Sequence, residues 1–469
     1  RKLLQKAIRG RWIFMGCMVA LLITAGGGFG NVKQMFFPDS SRAQLMVDFW
    51  YPMGTRIQDV SEGIKPAEEL LMKDDRVVNV SSYIGAGPPR FYLPVDPELP
   101  YENYAEIIVN THDYKEIDPL ITDIEPWMEA NYPGVVTRVR KYGVGPSETW
   151  KLEWHLSGPY NADPNVLRQI ADEALAILEK SPYAKEIKTS MMNRVKKFVP
   201  DYDQVRGRWA SVHRDDIAQA TRRAYDGVQV GLYREEDDLY PILLRHVAEE
   251  RRNAVVMETL QIRPSMYTKT IPLSQVTKDL RYEWEDPVIN RWERRRTITI
   301  QASPRNTTYP DLKNHVIEAF NKIELPPGYD VYLDGDDEST ADAQKSLLPG
   351  MIPMAVIMLF IMVALYNAYR PPLIIICSCP FLVIGIVIGL LATGAPFGFL
   401  ALLGAMSLSG MMIKNAIVLL DEANSQLASG QSRYDAIVAA GVTRLRPVLL
   451  AAATTVLGVI PLYPDVFWN

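Results

Sequence analysis

Lys414 stands inside an otherwise apolar run, Phe397–Leu420, seven residues before Asp421. An ammonium at the centre of a bilayer costs about 2.5–3.5 kcal/mol on insertion scales, so a lysine there is a candidate for proton or ion movement. The competing expectation is a lysine that snorkels its charge to the membrane surface. Lys414 lies about six residues, or roughly 9 Å of helical rise, from the polar end of the run. A stem of about 6 Å falls short of that end, which favours the functional reading. Ser407, Gly410, Lys414 and Asp421 share one helical face, and Asn415 adjoins it. Small and polar residues on one face suit close packing against another helix rather than against lipid.

A buried ammonium needs a carboxylate or it loses its proton. No apolar run of this chain carries Asp or Glu in its interior. Asp421 is about 10.5 Å further along the same helix, too far for a direct pair. The counter-charge is therefore expected on helices outside this chain.

Other chemistries find little support. There is no phosphate-cradling Walker motif, no HExxH and no CxxC. His112, His155, His213, His246 and His315 are scattered without ligand spacing and are expected at the surface. Asp334, Asp336, Asp337 and Glu338 crowd together but lack the order of a calcium loop, so a solvated acidic turn is expected. Met191 and Met192, read as neighbours on a strand, would face opposite sides, which argues against a paired thioether site for copper or silver. No catalytic residue, resident metal or cofactor is expected.

The elements that position Lys414 are apolar helices. A bilayer core needs about 20 apolar residues per helix. Trp12–Val32, Leu347–Tyr366, Leu373–Thr393 and Phe397–Leu420 meet this, and Pro447–Tyr463 is a shorter fifth run. The first run is too long for a signal-peptide core and lacks an A-x-A cleavage site, although its tail Ala25–Gly30 keeps that alternative open. The chain of 469 residues opens on Arg1 and closes just past an apolar run, as a fragment would; its net charge is −5. Cys17, Cys377 and Cys379 all lie in apolar runs, so they say nothing of the redox compartment of the rest. Arg1, Lys2, Lys6, Arg9 and Arg11 precede the first run, Arg370 follows the second, and Arg433, Arg444 and Arg446 lie between the fourth and fifth. Placing these basic loops in the cytoplasm puts the long segment Lys33–Ser346 on the outer side.

That segment repeats strand, helix, strand. Gln44–Tyr51 and Val77–Tyr83 flank a helix capped at Thr55, with Ile57, Val60, Ile64, Ala67 and Leu71 on one face and Pro66 inside it. Tyr104–Val109 and Val135–Arg140 flank the helix Glu116–Asn131. Trp150, Leu152, Trp154 and Leu156 alternate with Lys151, Glu153 and His155 as a half-buried strand, and Asp163-Pro164 starts the next helix. Arg296–Ser303, a helix Pro310–Ile323 and Tyr329–Leu333 complete a fourth unit. Such units suggest split βαβ sandwiches of the ferredoxin-like type. Phe198–Asn290 has a different texture and reads as an inserted subdomain. Its tyrosines and acids (Tyr225, Tyr233, Glu235, Glu236, Asp237, Asp238, Tyr240) suit either a partner-facing surface or a solvated loop.

The run Gly404–Ala423, with Arg444-Leu-Arg-Pro447 and Gly458-Val-Ile-Pro461, resembles the hydrophobe/amphiphile exporters of the resistance–nodulation–division superfamily. Phe37-Pro38, Tyr51–Thr55 and the stretches Asp201–Gln204 and Arg234–Asp238 fit the same family. The resemblance covers essentially the whole chain as the seventh to eleventh spans, with the second large periplasmic loop, of a twelve-span pump. It implies an α-helical polytopic membrane domain plus an α+β periplasmic domain of ferredoxin-like split βαβ units with an inserted docking subdomain. The expected divisions are 1–32 for the first span, 33–145 and 146–197 with 291–345 for two porter subdomains, 198–290 for docking, and 346–469 for four further spans.

The resemblance also implies a mechanism: Lys414 pairs with two aspartates on a helix of the first half, and their protonation releases it. Asn415 and Arg444 match further relay positions. A threonine usual one turn after the Arg-Leu-Arg-Pro motif is Ala451 here, with Thr454 and Thr455 as substitutes. The implied porter cleft lies between the first two βαβ units, and the loop Tyr83–Tyr92, with Tyr83, Arg90, Phe91 and Tyr92, matches its switch loop. The plain alternative there is a Gly-Pro turn. The implied partners are the N-terminal half of the pump, two further copies in a homotrimer, a periplasmic adaptor (membrane fusion) protein, an outer-membrane channel, protons and amphiphilic small molecules, with no nucleic acid. The expected function is proton-motive-force-driven amphiphile efflux across the inner membrane. The alternatives are a protein or lipid translocation factor of the same superfamily, or a non-transporting membrane-anchored ligand-binding protein.

Overall fold

The computed structural model describes residues 2–144, 150–252 and 257–460. Helix α1 (Arg11–Phe29) leads to strand β1 (Gln44–Trp50), helices α2 (Ile57–Gly63) and α3 (Lys65–Met72), and strand β2 (Val77–Ile84). Pro66 accounts for the break between α2 and α3: it sits in the first turn of α3, where a missing N–H costs nothing. Val60, Ile64, Ala67 and Leu71 still share one buried face across the break. Thr55 does not cap this helix as expected. Its hydroxyl turns back to the Pro52 carbonyl at 2.7 Å, and Arg56 takes the cap position without a side-chain bond.

Strand β3 (Tyr104–Thr111), helix α4 (Ile117–Asn131) and strand β4 (Val136–Lys141) follow. The four strands form one antiparallel sheet in the order β2-β3-β1-β4. Leu45, Val47 and Phe49 of β1 meet Leu120, Ile124 and Met128 of α4 in a core covered by the helices. The opposite face carries buried Asp48, Glu106 and Arg138.

A second sheet starts with β5 (Leu152–Ser157), α5 (Pro164–Glu179) and β6 (Ala184–Thr189). Asp163 caps α5 as expected, accepting the Asn165 N–H at 2.8 Å. Met191 and Met192 lie in the turn beyond β6, not on a strand, and Met192 has a φ of 51°. They do diverge, but because the turn bends: Met191 enters the core of the second sheet, and Met192 packs on Trp50, Tyr104 and Trp150.

A separate compact unit, Asn193–Pro287, interrupts this sheet. It contains β7 (Val195–Tyr202), α6 (Gln204–Ala210), α7 (Arg214–Tyr225), β8 (Val228–Glu235), β9 (Asp238–Leu244) and β10 (Thr277–Glu285). Strands β7 and β10 pair with each other, and β8 and β9 form a hairpin. Its core gathers Val212, Ile217, Ala220, Leu260, Ile262 and Leu273, with Tyr225 packed against it. The acids read as a surface or loop sit at the hairpin tip, between exposed Tyr233 and Tyr240.

The second sheet resumes with β11 (Arg295–Pro304), α8 (Tyr309–Phe320) and β12 (Asp330–Gly335), in the order β6-β11-β5-β12. Trp154, Leu156, Ile298 and Ile300 meet the helices at Leu167, Ala174, Leu312 and Phe320.

Strand β12 runs directly into α9 (Asp336–Tyr366) through Gly335, whose φ is 77°. A Cβ there would lie 2.8 Å from the Lys151 carbonyl oxygen and 2.9 Å from that of Trp150. Gly335→Ala is therefore expected to cost about 2–4 kcal/mol through backbone strain and overpacking, measured as a lower unfolding temperature of the purified protein.

Helices α10 (Arg370–Ser378), α11 (Leu382–Thr393), α12 (Phe399–Ala428) and α13 (Arg433–Val459) complete the described chain, with a 3-10 turn, Cys379–Phe381, joining α10 to α11. Counting α10 to α11 as one, five helical segments among the described residues are long and apolar enough to cross a membrane. The fifth begins at Arg433, where Ser432 caps it, and not at Pro447 as expected, because the helix runs on through Arg444 and Arg446, which interrupt its apolar sequence. Arg444 and Arg446 therefore belong to the helix rather than to a loop. Residues 461–463 of that expected run, with Pro461 of the Gly458–Pro461 motif, lie outside the described residues, as does the expected boundary at 145/146.

Candidate functional site

Lys414 sits near the middle of α12. The packed face of α12 presents Ile413, Ala416, Ile417 and Leu420 to Met362, Tyr366 and Ile375 on the neighbouring helices, and the Tyr366 hydroxyl donates to the Ile417 carbonyl at 3.0 Å. Lys414 is turned off this face and is exposed, as are Ser407, Gly410 and Asp421. A Cβ at Gly404 or Gly410 would meet nothing within 4 Å. The polar face thus makes no helix contact at these positions among the described residues.

Arg444 pairs with Glu422 at 2.7 Å, joining α13 to α12 just beyond Asp421. Glu422 escaped the sequence reading because it lies past the end of the apolar run. Thr454 and Thr455 donate to carbonyls of their own helix, Leu450 at 2.9 Å and Ala451 at 2.8 Å. Asn415 is half-buried beside Lys414. The relay candidates are on two adjacent helices, and of them the structure joins Arg444 to an acid.

The first two strand–helix–strand units do not form opposite walls of a cleft, because β1 pairs with β3 and makes them one sheet. In the loop after β2, the Tyr92 ring meets Tyr142 edge-on at 5.3 Å and its hydroxyl donates to the Gly143 carbonyl at 2.9 Å. The Arg42 guanidinium lies 4.8 Å from the Tyr92 ring and 5.4 Å from the Tyr142 ring. Arg90 bonds the Leu93 carbonyl and pairs with Asp96 at 3.1 Å, so the loop holds its own arginine. Phe91 is 52% exposed, and Tyr83 pairs in register with Glu106. Arg42 and Tyr142 were missed, being distant in sequence from the loop they hold.

A cavity of about 530 Å³ opens elsewhere, lined by Arg138, Arg140 and Lys141 of β4 and by Lys185, Glu186 and Asp311 of the second sheet and its helix. None of Tyr83, Arg90, Phe91 or Tyr92 lines it. Beside it, Asp48 is fully buried. It receives Arg140 Nε at 2.7 Å and the Tyr104 hydroxyl at 2.8 Å. Burial raises the Asp48 pKa, but Arg140 and Arg138 outweigh it and hold the carboxyl below its ordinary value.

Glu106 is pushed up to about 7 by burial and by the Asp48 charge. Its native form therefore binds more protons than the unfolded one between about 4.5 and about 7, and stability falls as pH rises through that window. Glu106→Gln should remove this loss. The variant is expected to be more stable than the parent by roughly 2–3 kcal/mol at pH 8 and little changed near pH 4, read from paired melting curves.

His155 is not at the surface as expected but 4% exposed, packed against the rings of Trp292 and Tyr332. Its Nε2 lies 3.0 Å from Asp334 Oδ2 and 3.4 Å from Glu153 Oε2. Burial lowers its pKa, but Asp334 and Glu153 overcome this and raise it to about 9. The expected solvated acidic turn is likewise corrected. Asp334 closes β12, Asp336 is buried against Lys151 at 3.4 Å, and Asp336, Asp337 and Glu338 fill the first turn of α9, where the helix dipole favours acids.

Several apolar helices with a large extramembrane α/β region describe a multi-pass inner-membrane protein with a large periplasmic domain. Residues 1–464 match the AcrB/AcrD/AcrF family, and the chain belongs to that family, within the resistance–nodulation–division superfamily of efflux pumps. It is 26% identical over 312 residues to the cobalt-zinc-cadmium resistance protein CzcA of Cupriavidus metallidurans, covering 65% of this chain and 29% of that protein. It is 21% identical to the swarming motility protein SwrC of Bacillus subtilis, covering 98% of this chain and 43% of that protein. A crystal structure of a heavy metal efflux pump superposes with a TM-score of 0.81 at 19% identity, covering 98% of this chain and 48% of that one. The chain thus spans less than half the length of these relatives.

Proposed function

We propose that this chain forms the proton-coupling and cargo-handling part of an efflux pump driven by the proton-motive force. The observation that carries this is Lys414, an ammonium at mid-helix on a face of small and polar residues. An acidic helix of the first half of the pump would pair with it and release it on protonation, with Asn415, Arg444, Thr454 and Thr455 as the surrounding relay. We read the two sheets as ferredoxin-like split βαβ units of porter subdomains (33–145, and 146–197 with 291–345), supported by the shared strand order 2-3-1-4 within each. The inserted segment 198–290 is read as a docking subdomain, supported by the compact unit Asn193–Pro287. A homotrimer working with a periplasmic adaptor and an outer-membrane channel completes the proposal.

Two cargo classes are supported by different observations. The exposed Phe91 ring, with Tyr92 and Arg42 beneath the same loop, suits amphiphiles. The names of the cobalt-zinc-cadmium resistance protein and the heavy metal efflux pump favour divalent cations. Vesicles holding the complete pump separate them: amphiphile or Zn²⁺ is added and the counter-flow of protons recorded. If the cargo is an amphiphile, Phe91→Ala should weaken its apparent affinity about tenfold. A proton flow that answers only to Zn²⁺ and ignores this substitution would refute the amphiphile reading.

A further inference from the structure

The face of the second sheet turned away from its helices carries an ordered array of polar side chains. Register places Thr299, His155 and Tyr332 in one cross-strand row and Gln301, Glu153 and Asp334 in the next. Same-face neighbours in adjacent strands stand close enough for their side chains to meet. Three atoms converge there: Nε2 of His155, Oδ2 of Asp334 at 3.0 Å from it, and Oε2 of Glu153 at 3.4 Å. All three lie within 4.8 Å of one another.

The other polar atom of each side chain is already engaged. His155 Nδ1 lies 3.2 Å from the Thr299 hydroxyl, Glu153 Oε1 accepts from Gln301 Nε2 at 2.8 Å, and Asp334 Oδ1 accepts the Gly335 N–H at 2.7 Å. The imidazole plane is held by Tyr332, stacked at 4.7 Å with 7° between the rings. His155 Nε2 is buried and makes no hydrogen bond of acceptable geometry, although both acids face it. Nε2 and two carboxylate oxygens therefore converge on one spot, each side chain oriented by an outer partner, and a cation bound there would displace the proton that the acids favour on the imidazole.

We propose that Glu153, His155 and Asp334 form a binding site for one first-row divalent cation, with Zn²⁺ or Co²⁺ as the fitting class. One imidazole and two carboxylates are a ligand set such ions accept, and three protein ligands leave a further position open. Bonds of about 2.0–2.2 Å in tetrahedral geometry separate ligand atoms by about 3.3–3.5 Å, close to the 3.0 and 3.4 Å that separate Nε2 from the two oxygens. Thr299 and Gln301 fill the place of the outer hydrogen bonds that fix a metal-bound imidazole and carboxylate. The site goes beyond the cargo assignment: it lies on the sheet, away from the Phe91 loop, and is defined by binding rather than transport.

The test is a cation titration of the purified, chelator-treated full chain in detergent, followed by heat for Zn²⁺ and by visible absorption for Co²⁺. The parent is expected to bind an equivalent of cation that the pair Glu153→Gln and Asp334→Asn does not. Unfolding curves without metal show whether that variant is folded. Should it fail to fold, Thr299→Val carries the test through its outer contact, with an expected loss of affinity of roughly 10- to 100-fold. No bound equivalent in the parent, uptake undiminished in the folded acid variant, or unchanged affinity in Thr299→Val would each overturn the site.

Discussion

Lys414→Ala in the complete pump is expected to reduce cargo-coupled proton flow to the level of vesicles without protein, while the variant still inserts in the membrane. The packed face of α12 consists of Ile413, Ala416, Ile417 and Leu420, none of which the substitution touches. Alanine also favours the helix more than lysine does, so local folding is preserved. What is removed is an ammonium on the unpacked polar face. Lys414→Arg separates coupling from a mere need for charge. Guanidinium spreads its charge over a rigid planar fork where ammonium is a compact point charge, so a relay that needs the lysine's close pairing with its acids loses function, whereas a snorkelling or static role tolerates the change. Membrane fractionation and proton flux in the same vesicles give both readouts. Normal flux in Lys414→Ala would remove Lys414 from the mechanism, and normal flux in Lys414→Arg alone would reduce its part to that of a charge.

The second large effect is on stability. Asp48→Asn should destabilise the first sheet by about 3–5 kcal/mol at neutral pH, because it leaves the Arg140 guanidinium facing a neutral amide in a buried setting. Asp48 is fully buried, and its two oxygens take Arg140 and Tyr104. Its folded pKa is below the ordinary 3.8, so the stability it contributes is present above that value and is lost as pH falls through the folded pKa. The penalty of the substitution therefore shrinks in acid, where the parent carboxyl takes a proton. A double-mutant cycle with Arg140→Gln isolates the pair, and an undiminished cost when both are replaced would show that packing, not charge, is responsible.

The sequence by itself determined the long apolar helices, the Lys414 anomaly and the strand–helix–strand rhythm. Each is local: a bilayer-length apolar run, one charge within it, and alternations of period two and period 3.6 are visible in a short window. The cap at Asp163 was equally legible, since it needs only its own neighbours. The cap expected at Thr55 failed because its hydroxyl had a closer carbonyl at Pro52, and the start of α13 was missed because Arg444 and Arg446 interrupt its apolar sequence.

Only the tertiary structure decided what meets across the sheets. Glu153 and His155 are separated from Asp334 by a whole inserted unit, and it is the pairing of β5 with β12 that brings them together and buries the imidazole. Arg140 reaches Asp48 in the same way, through β1 pairing with β4. Strand register and burial arise from contacts distant along the chain, and no local window of sequence contains them.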